Sequence, residues 1–326
     1  MYIEPEVGAL MESRYVVLAE CYLEMAEKNI PDLTGSRPVP ALIALDTEMT
    51  NLINLFNMVL ATEDEIGPVY YRLFDQLTVY FNRRGLYFQP QQWAITLIEK
   101  AANETLIQVG LLNYIAASAS SSGQFEHALT VYHFILEEFR ERPQHPGLGV
   151  IHHNLSLTYW RTGDVTAAIQ QGEQALHLEL HHEHPRGIVM ALIHLAHIHY
   201  QQGEVKKAFG YLHRAASIVE QHDDAYLEAY FTSQMAYLTA EYADPDKTES
   251  FFQRALRLWQ TIDEPILLAE TRFNYAAFLY ALGQLQSAIR LAQESLPILE
   301  QAETDRATVV REALELWQAE FINLKP

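Results

Sequence analysis

Cysteine is almost absent. Cys21 is the only one in 326 residues, so neither an internal disulfide nor a cysteine-built zinc site can form within the chain. Positive charge is also scarce: 22 Lys and Arg stand against 42 Asp and Glu, a formal net charge of −20. Phosphate backbones and anionic membranes are bound through clustered Lys and Arg, so this balance argues against both as partners. No run of apolar residues reaches the length of a membrane-spanning helix. The opening "MYIEPEVGALMESRYVVLAE" lacks the basic start and continuous apolar run of a signal peptide. A reducing, cytoplasmic setting is the expectation. No alternating strand pattern of useful length occurs either, which leaves an all-α chain.

What the chain does have is a period of forty residues. "NLSLTYWRTGDVTAAIQQGEQALHL" and "HLAHIHYQQGEVKKAFGYLHRAASI" carry the same small residues at the same offsets. The turn position reads Gly123, Gly163, Gly203, Ala243 and Gly283, and five residues on come Ala128, Ala168, Ala208, Thr248 and Ala288. Seven residues before the turn stand Ala116, Ser156, Ala196, Ala236 and Ala276; twelve after it stand Ile135, Ala175, Ala215, Ala255 and Ser295. Between them lie apolar residues at helical spacing, such as Leu155, Tyr159 and Trp160. Each unit therefore reads as two amphipathic helices, A and B, joined at the Gly, with the small residues where helices cross closely. One such hairpin cannot bury its apolar face alone, so hairpins must stack as a solenoid. Pro185 and Pro265 mark the starts of A helices, because a first-turn proline forfeits only an N–H that would be unpaired anyway.

These offsets, with "NLSLTY" before Gly163 and "NYAAFLY" before Gly283, resemble tetratricopeptide (TPR) repeats from about Gln108 to Glu303. The resemblance implies a right-handed superhelical solenoid of antiparallel helix hairpins, lengthened from the usual 34 residues per unit to 40. The fourth unit departs most, since "ADPDKTESFFQRAL" replaces both the Gly and the first Ala. Upstream, "YYRLFDQLTVYFNRRGLYFQPQQWAITLIEKA" reads as a looser hairpin turning at Gly85. Helices over 9–29 and 41–61 precede it, separated by "PDLTGSRPVP". The run "LDTEMTNLINLF", with Glu48, Asn51 and Leu52 as E-x-x-N-L, resembles the opening of the TPR sensor region of STAND-type signalling ATPases. No G-x-x-x-x-G-K-[ST] occurs in the chain, so that ATPase chemistry is not expected of it. "TDRATVVREALELWQAEFINL" reads as a lone terminal helix that covers the last repeat. The expected division is a degenerate helical region over 1–102, five repeats over 103–303, and the capping helix over 304–326.

Catalytic signals are missing. There is no G-x-S-x-G elbow and no glycine-rich phosphate loop. All 14 histidines fall between His127 and His222. His177 and His181, or His194 and His197, have spacings that bring two imidazoles to one helix face. "HLELH" is nevertheless not H-E-x-x-H, and no third ligand falls in helical phase. The expectation is therefore no catalytic residue, no cofactor and no stoichiometric metal.

The resemblance assigns the A helices to the concave wall. Counting from fourteen residues before each turn, the inward positions are the second, fifth, sixth, ninth, twelfth and thirteenth. They supply an amide- and aromatic-rich candidate site: Asn113; His153, Asn154, Leu157 and Trp160; His194, His197, Tyr200 and Gln201; Gln234 and Tyr237; Phe273, Asn274 and Tyr280. Amides can bond a peptide main chain or sugar hydroxyls, and rings can stack on side chains. The same rings could instead pack between adjacent A helices. The lysines of the family's carboxylate clamp for chaperone tails are absent. The preferred reading is a non-catalytic protein that takes a peptide or protein segment in its groove, centred on the second and third repeats. Affinity would change between about pH 5.5 and 7.5 if His194 or His197 touched the ligand. A small-molecule sensor and an assembly scaffold are the alternatives, and homo-oligomerisation is left open.

Overall fold

The structure, a computed structural model, describes residues 5–34, 38–62, 67–86, 88–100, 105–240, 244–302, 304 and 306–323. Among these it contains fifteen α-helices and no strand. They are α1 (Pro5–Thr34), α2 (Pro38–Leu60), α3 (Pro68–Arg84), α4 (Phe88–Lys100), α5 (Thr105–Ser121), α6 (Phe125–Glu138), α7 (Leu148–Thr162) and α8 (Val165–His181). There follow α9 (Pro185–Gln201), α10 (Val205–Val219), α11 (Ala225–Thr239), α12 (Pro245–Thr261), α13 (Pro265–Ala281), α14 (Leu285–Gln301) and α15 (Arg306–Asn323). The chain divides into two compact units, Met1–Ser118 and Ala119–Pro326.

In the first unit α1 packs on α2 and α3, and α2 packs on α4. An aromatic core holds them: the Phe56 ring stacks on Trp93 at 4.8 Å, and Phe74 meets Tyr114 edge-on at 5.5 Å. Gly85 closes α3 at φ 64°, a left-handed conformation that glycine adopts without steric cost. The breaker ahead of α2 acts later than its prolines imply, because α1 runs through Pro31 to Thr34. Packing overrides the local signal: Ile30 and Leu33 are buried, and Arg83 Nη1 donates to the Leu33 carbonyl at 2.7 Å, satisfying a helix-end acceptor.

In the second unit the forty-residue period becomes geometry. Helices pair as A·B hairpins, α7 with α8, α9 with α10, α11 with α12 and α13 with α14, and successive hairpins stack through α8·α9, α10·α11 and α12·α13. Gly123, Gly163, Gly203 and Gly283 all sit at φ between 75° and 85°. Ala243, the odd member of that series, lies outside the described residues, as do Glu241 and Glu303. Ser156, Ala196, Ala236 and Ala276 on the A helices are 0% exposed, as are Ala128, Ala168, Ala208, Thr248 and Ala288 on the B helices. Thr248 tolerates that depth because its hydroxyl reaches the Thr239 carbonyl at 3.4 Å. Asp164 directly follows the Gly163 turn and caps α8 by accepting from Ala167 N at 3.0 Å. Pro185 and Pro265 stand in the first turns of α9 and α13. Two residues before each, Glu183 and Asp263 take φ of 53° and 55°, turning the chain from one repeat into the next without a glycine.

Candidate functional site

Fifth-position side chains His153, Ile193, Ser233 and Phe273 are all buried, so that row faces the neighbouring A helix rather than open space. The accessible strip is made by the ninth position, where Leu157 and His197 are half-buried and Tyr237 and Ala277 exposed, and by the exposed thirteenth-position residues Arg161, Gln201 and Ala281. Arg161 is steadied by donating to the Ser120 carbonyl at 2.9 Å.

Nine of the fourteen candidate residues fall into three groups. His153, Trp160 and His194 come together between α7 and α9: the His194 ring lies 5.6 Å from His153 and 6.0 Å from Trp160, edge-on to each. Ser156 hydroxyl donates to the Ala168 carbonyl at 2.6 Å, which spends its only hydrogen. His194 Nε2 must therefore donate to Ser156 Oγ, at 2.8 Å. In the sequence Ser156 reads only as a small residue. The available signal was a Ser in a row otherwise held by Ala.

The second group joins α9 to α11. His197 Nε2 donates to Gln234 Oε1 at 2.5 Å, and its ring lies 5.1 Å from that of Tyr237 at an interplanar angle of 30°. The third group is taken up by α15. Trp317 stacks on Tyr280 at 4.9 Å and reaches Phe273 at 6.1 Å, Arg306 donates to Asn274 Oδ1 at 2.7 Å, and Tyr280 donates to Glu320 at 2.8 Å. The capping helix therefore occupies Phe273, Asn274 and Tyr280 of the fifth repeat and leaves Ala277 and Ala281 exposed. Tyr200 packs into the core around Leu192 and Leu238. Asn154 and Leu157 are half-buried and Gln201 is exposed. Asn113, half-buried, belongs to the first unit.

Burial governs the electrostatics. It pushes His153 and His197 down to about 4 and His194 well below the ordinary imidazole range, the last helped by its two histidine neighbours. All three are neutral near pH 7. The expected titration of His194 and His197 between about pH 5.5 and 7.5 is thus corrected: desolvation moves it below that window. Burial, with the Glu270 carboxylate adding to it, raises Tyr230 to about 12. His177 and His181 are exposed on α8, and among the described residues no group of three His, Cys, Asp or Glu side chains could hold a metal ion. No described helix is long and apolar enough to cross a membrane.

One further arrangement escaped the sequence. Glu179 of α8 is 5% exposed, lies against the backbone of Gly149 and Gly187, and accepts from His184 Nδ1 at 2.7 Å. The two glycines leave room for a carboxylate where a Cβ would overlap it.

A tetratricopeptide repeat family model matches residues 108–178. No curated protein matches the sequence. Among solved structures, NprR in complex with its cognate peptide NprX is similar at a TM-score of 0.61 and 14% identity, over 92% of this chain and 86% of that one. The apo form of RapI is similar at 0.60 and 16% identity, over 85% and 97%. A Rap protein complexed with Competence and Sporulation Factor follows at 0.59 and 13%, over 94% and 98%. At such identities the likeness is one of fold. The chain is a TPR-like helical solenoid, and its segment 108–178 matches the tetratricopeptide repeat itself.

Proposed function

We propose that this chain is a non-catalytic binding protein that takes a peptide segment along its A helices, as part of a bacterial signalling system. The observation that carries the reading is the accessible strip from Leu157 through His197 and Tyr237 to Ala277, one residue per repeat at the same helical position. Adjacent A helices lie roughly 10 Å apart, a step that an extended chain covers in about three residues. An extended segment can therefore meet each repeat in turn. Two of the similar folds, the Rap protein and NprR, are described as complexes with Competence and Sporulation Factor and with the peptide NprX, which supports a peptide as the ligand class. The E-x-x-N-L run at Glu48 to Leu52 is the support for a place within a STAND-type regulator. The acidic net charge disfavours nucleic acid and anionic lipid as partners.

The test is to purify the chain from its native cell, extract it with acid and identify what co-elutes by mass spectrometry. A peptide recovered in stoichiometric amount supports the reading. A sugar or other metabolite in its place would transfer the site to small-molecule sensing, and a tightly associated folded protein would favour scaffolding.

A further inference from the structure

The inference here rests on the peptide reading and names the contact by which the wall holds a main chain. Three amides stand at the sixth position of the A helices: Asn154, Gln234 and Asn274. Asn274 is engaged by Arg306. Gln234 is held only through its carbonyl oxygen, by His197. Its amide nitrogen bonds to no described residue, and it is not among the buried unpartnered polar atoms, so it has access to solvent. Beside it the Tyr237 ring is 36% exposed, among the more open large apolar side chains of the A helices.

The order of donors decides which end of the amide is offered. A neutral imidazole has one N–H, and that of His197 is spent on Gln234 Oε1. With that hydrogen on Nε2, a rotated amide would set its own N–H₂ against the ring N–H; only the other imidazole tautomer would accept it. In the arrangement present, His197 holds Gln234 by its oxygen and leaves two N–H donors turned away from the bond, where a backbone carbonyl can accept them. The Tyr237 face lies next to them and suits an apolar or aromatic side chain one residue along.

We infer that Gln234 donates to a main-chain carbonyl of the bound peptide, that Tyr237 carries a neighbouring apolar side chain, and that His197 is a positioning residue acting through Gln234. Specificity then comes from the ring contact and register from the amide.

The experiment uses heptapeptides selected from a random phage-displayed library on the whole chain, resynthesised with a fluorophore and titrated by anisotropy. Gln234→Ala should weaken binding about five- to tenfold, the effect of one lost hydrogen bond. Gln234→Glu keeps the acceptor for His197 but removes the donors, and should lose at least as much. His197→Phe keeps a ring against Tyr237 and frees the amide, so it should lose several-fold. The double variant His197→Phe/Gln234→Ala should be no weaker than Gln234→Ala alone, because Phe keeps a ring at that point of the strip and the imidazole N–H acts only through that amide. A merely structural role for His197 would give additive losses and overturn its assignment. Gln174→Ala, at an exposed position of α8, is the control, and thermal melts confirm folding throughout. If peptides are selected yet all Gln234 variants bind like wild type, the contact is wrong while the peptide reading stands. If the library yields no binder, both fall.

Discussion

His194 reaches across from α9 to donate its only N–H to Ser156 of α7, and Ser156 passes its own hydrogen to the Ala168 carbonyl in α8. Three helices of two repeats meet in that relay. Ser156→Ala would restore the residue that the same position holds at Ala196, Ala236 and Ala276, yet it should destabilise the chain by about 1–3 kcal/mol. The loss comes from a buried imidazole N–H left without an acceptor. Urea unfolding should show it, and an unchanged midpoint would mean that His194 finds another acceptor.

The neighbouring imidazoles make stability depend on acid. His153, His194 and His197 all have folded-state pKa values below the unfolded value of about 6.5, two of them near 4. Below about pH 6.5 the unfolded chain takes up protons that the folded chain refuses. The stabilisation is complete above that pH and is lost as pH falls towards 4, at about 1.4 kcal/mol per unit for each histidine. Unfolding midpoints measured at pH 7.5, 6.5 and 5.5 should fall at the last of these. His153→Phe should flatten the profile and cost little at pH 7.5, since His153 Nδ1 is already buried without a partner. A wild-type stability that is flat across this range would contradict the neutral assignment of these imidazoles.

Gly187→Ala should destabilise by roughly 1–3 kcal/mol, because the added methyl overlaps the Glu179 carboxylate and that side chain is hemmed in on its other side by Gly149. Glu179→Ala in the same chain should recover part of the loss. The cycle of both single variants and the double, read by thermal melting, measures the coupling; strictly additive effects would place the carboxylate elsewhere.

Trp317→Ala should cost about 3–5 kcal/mol, since the indole is 5% exposed and covers Tyr280 and Phe273. The damage should be local. Amide exchange should quicken in α13 to α15 while α7 to α9 keep their protection, because repeats couple only to their neighbours. Uniform loss of protection would mean that the unit unfolds as one.

Trp160→Ala should weaken binding of a peptide recovered from cells by about 2 kcal/mol if the indole is an anchor. Calorimetry against the control Gln174→Ala, at an exposed position of α8, checks it. Equal affinities, with both proteins folded, would leave Trp160 to its packing on His194.

The period, the left-handed glycine turns and the fully buried small residues were all legible in the sequence. Each is a local steric requirement renewed every forty residues: a turn needs φ near 80°, and two helices that cross closely admit only a small side chain. Repetition turned each weak signal into a pattern. The fourth turn is where it lapsed, with Ala243 in place of Gly. The rotation of each A helix about its axis was not legible. Only the packed structure decided that Phe273 and Tyr280 would lie under Trp317, that His153 would be buried, and that Tyr237 would stay open. The pairings that give the wall its chemistry, His194 with Ser156 and His197 with Gln234, span 38 and 37 residues, and Glu179 fits between glycines of two other helices. A few tens of degrees of rotation would exchange one set of partners for another. That rotation is set by how all the side chains of neighbouring repeats interlock, which no single repeat specifies.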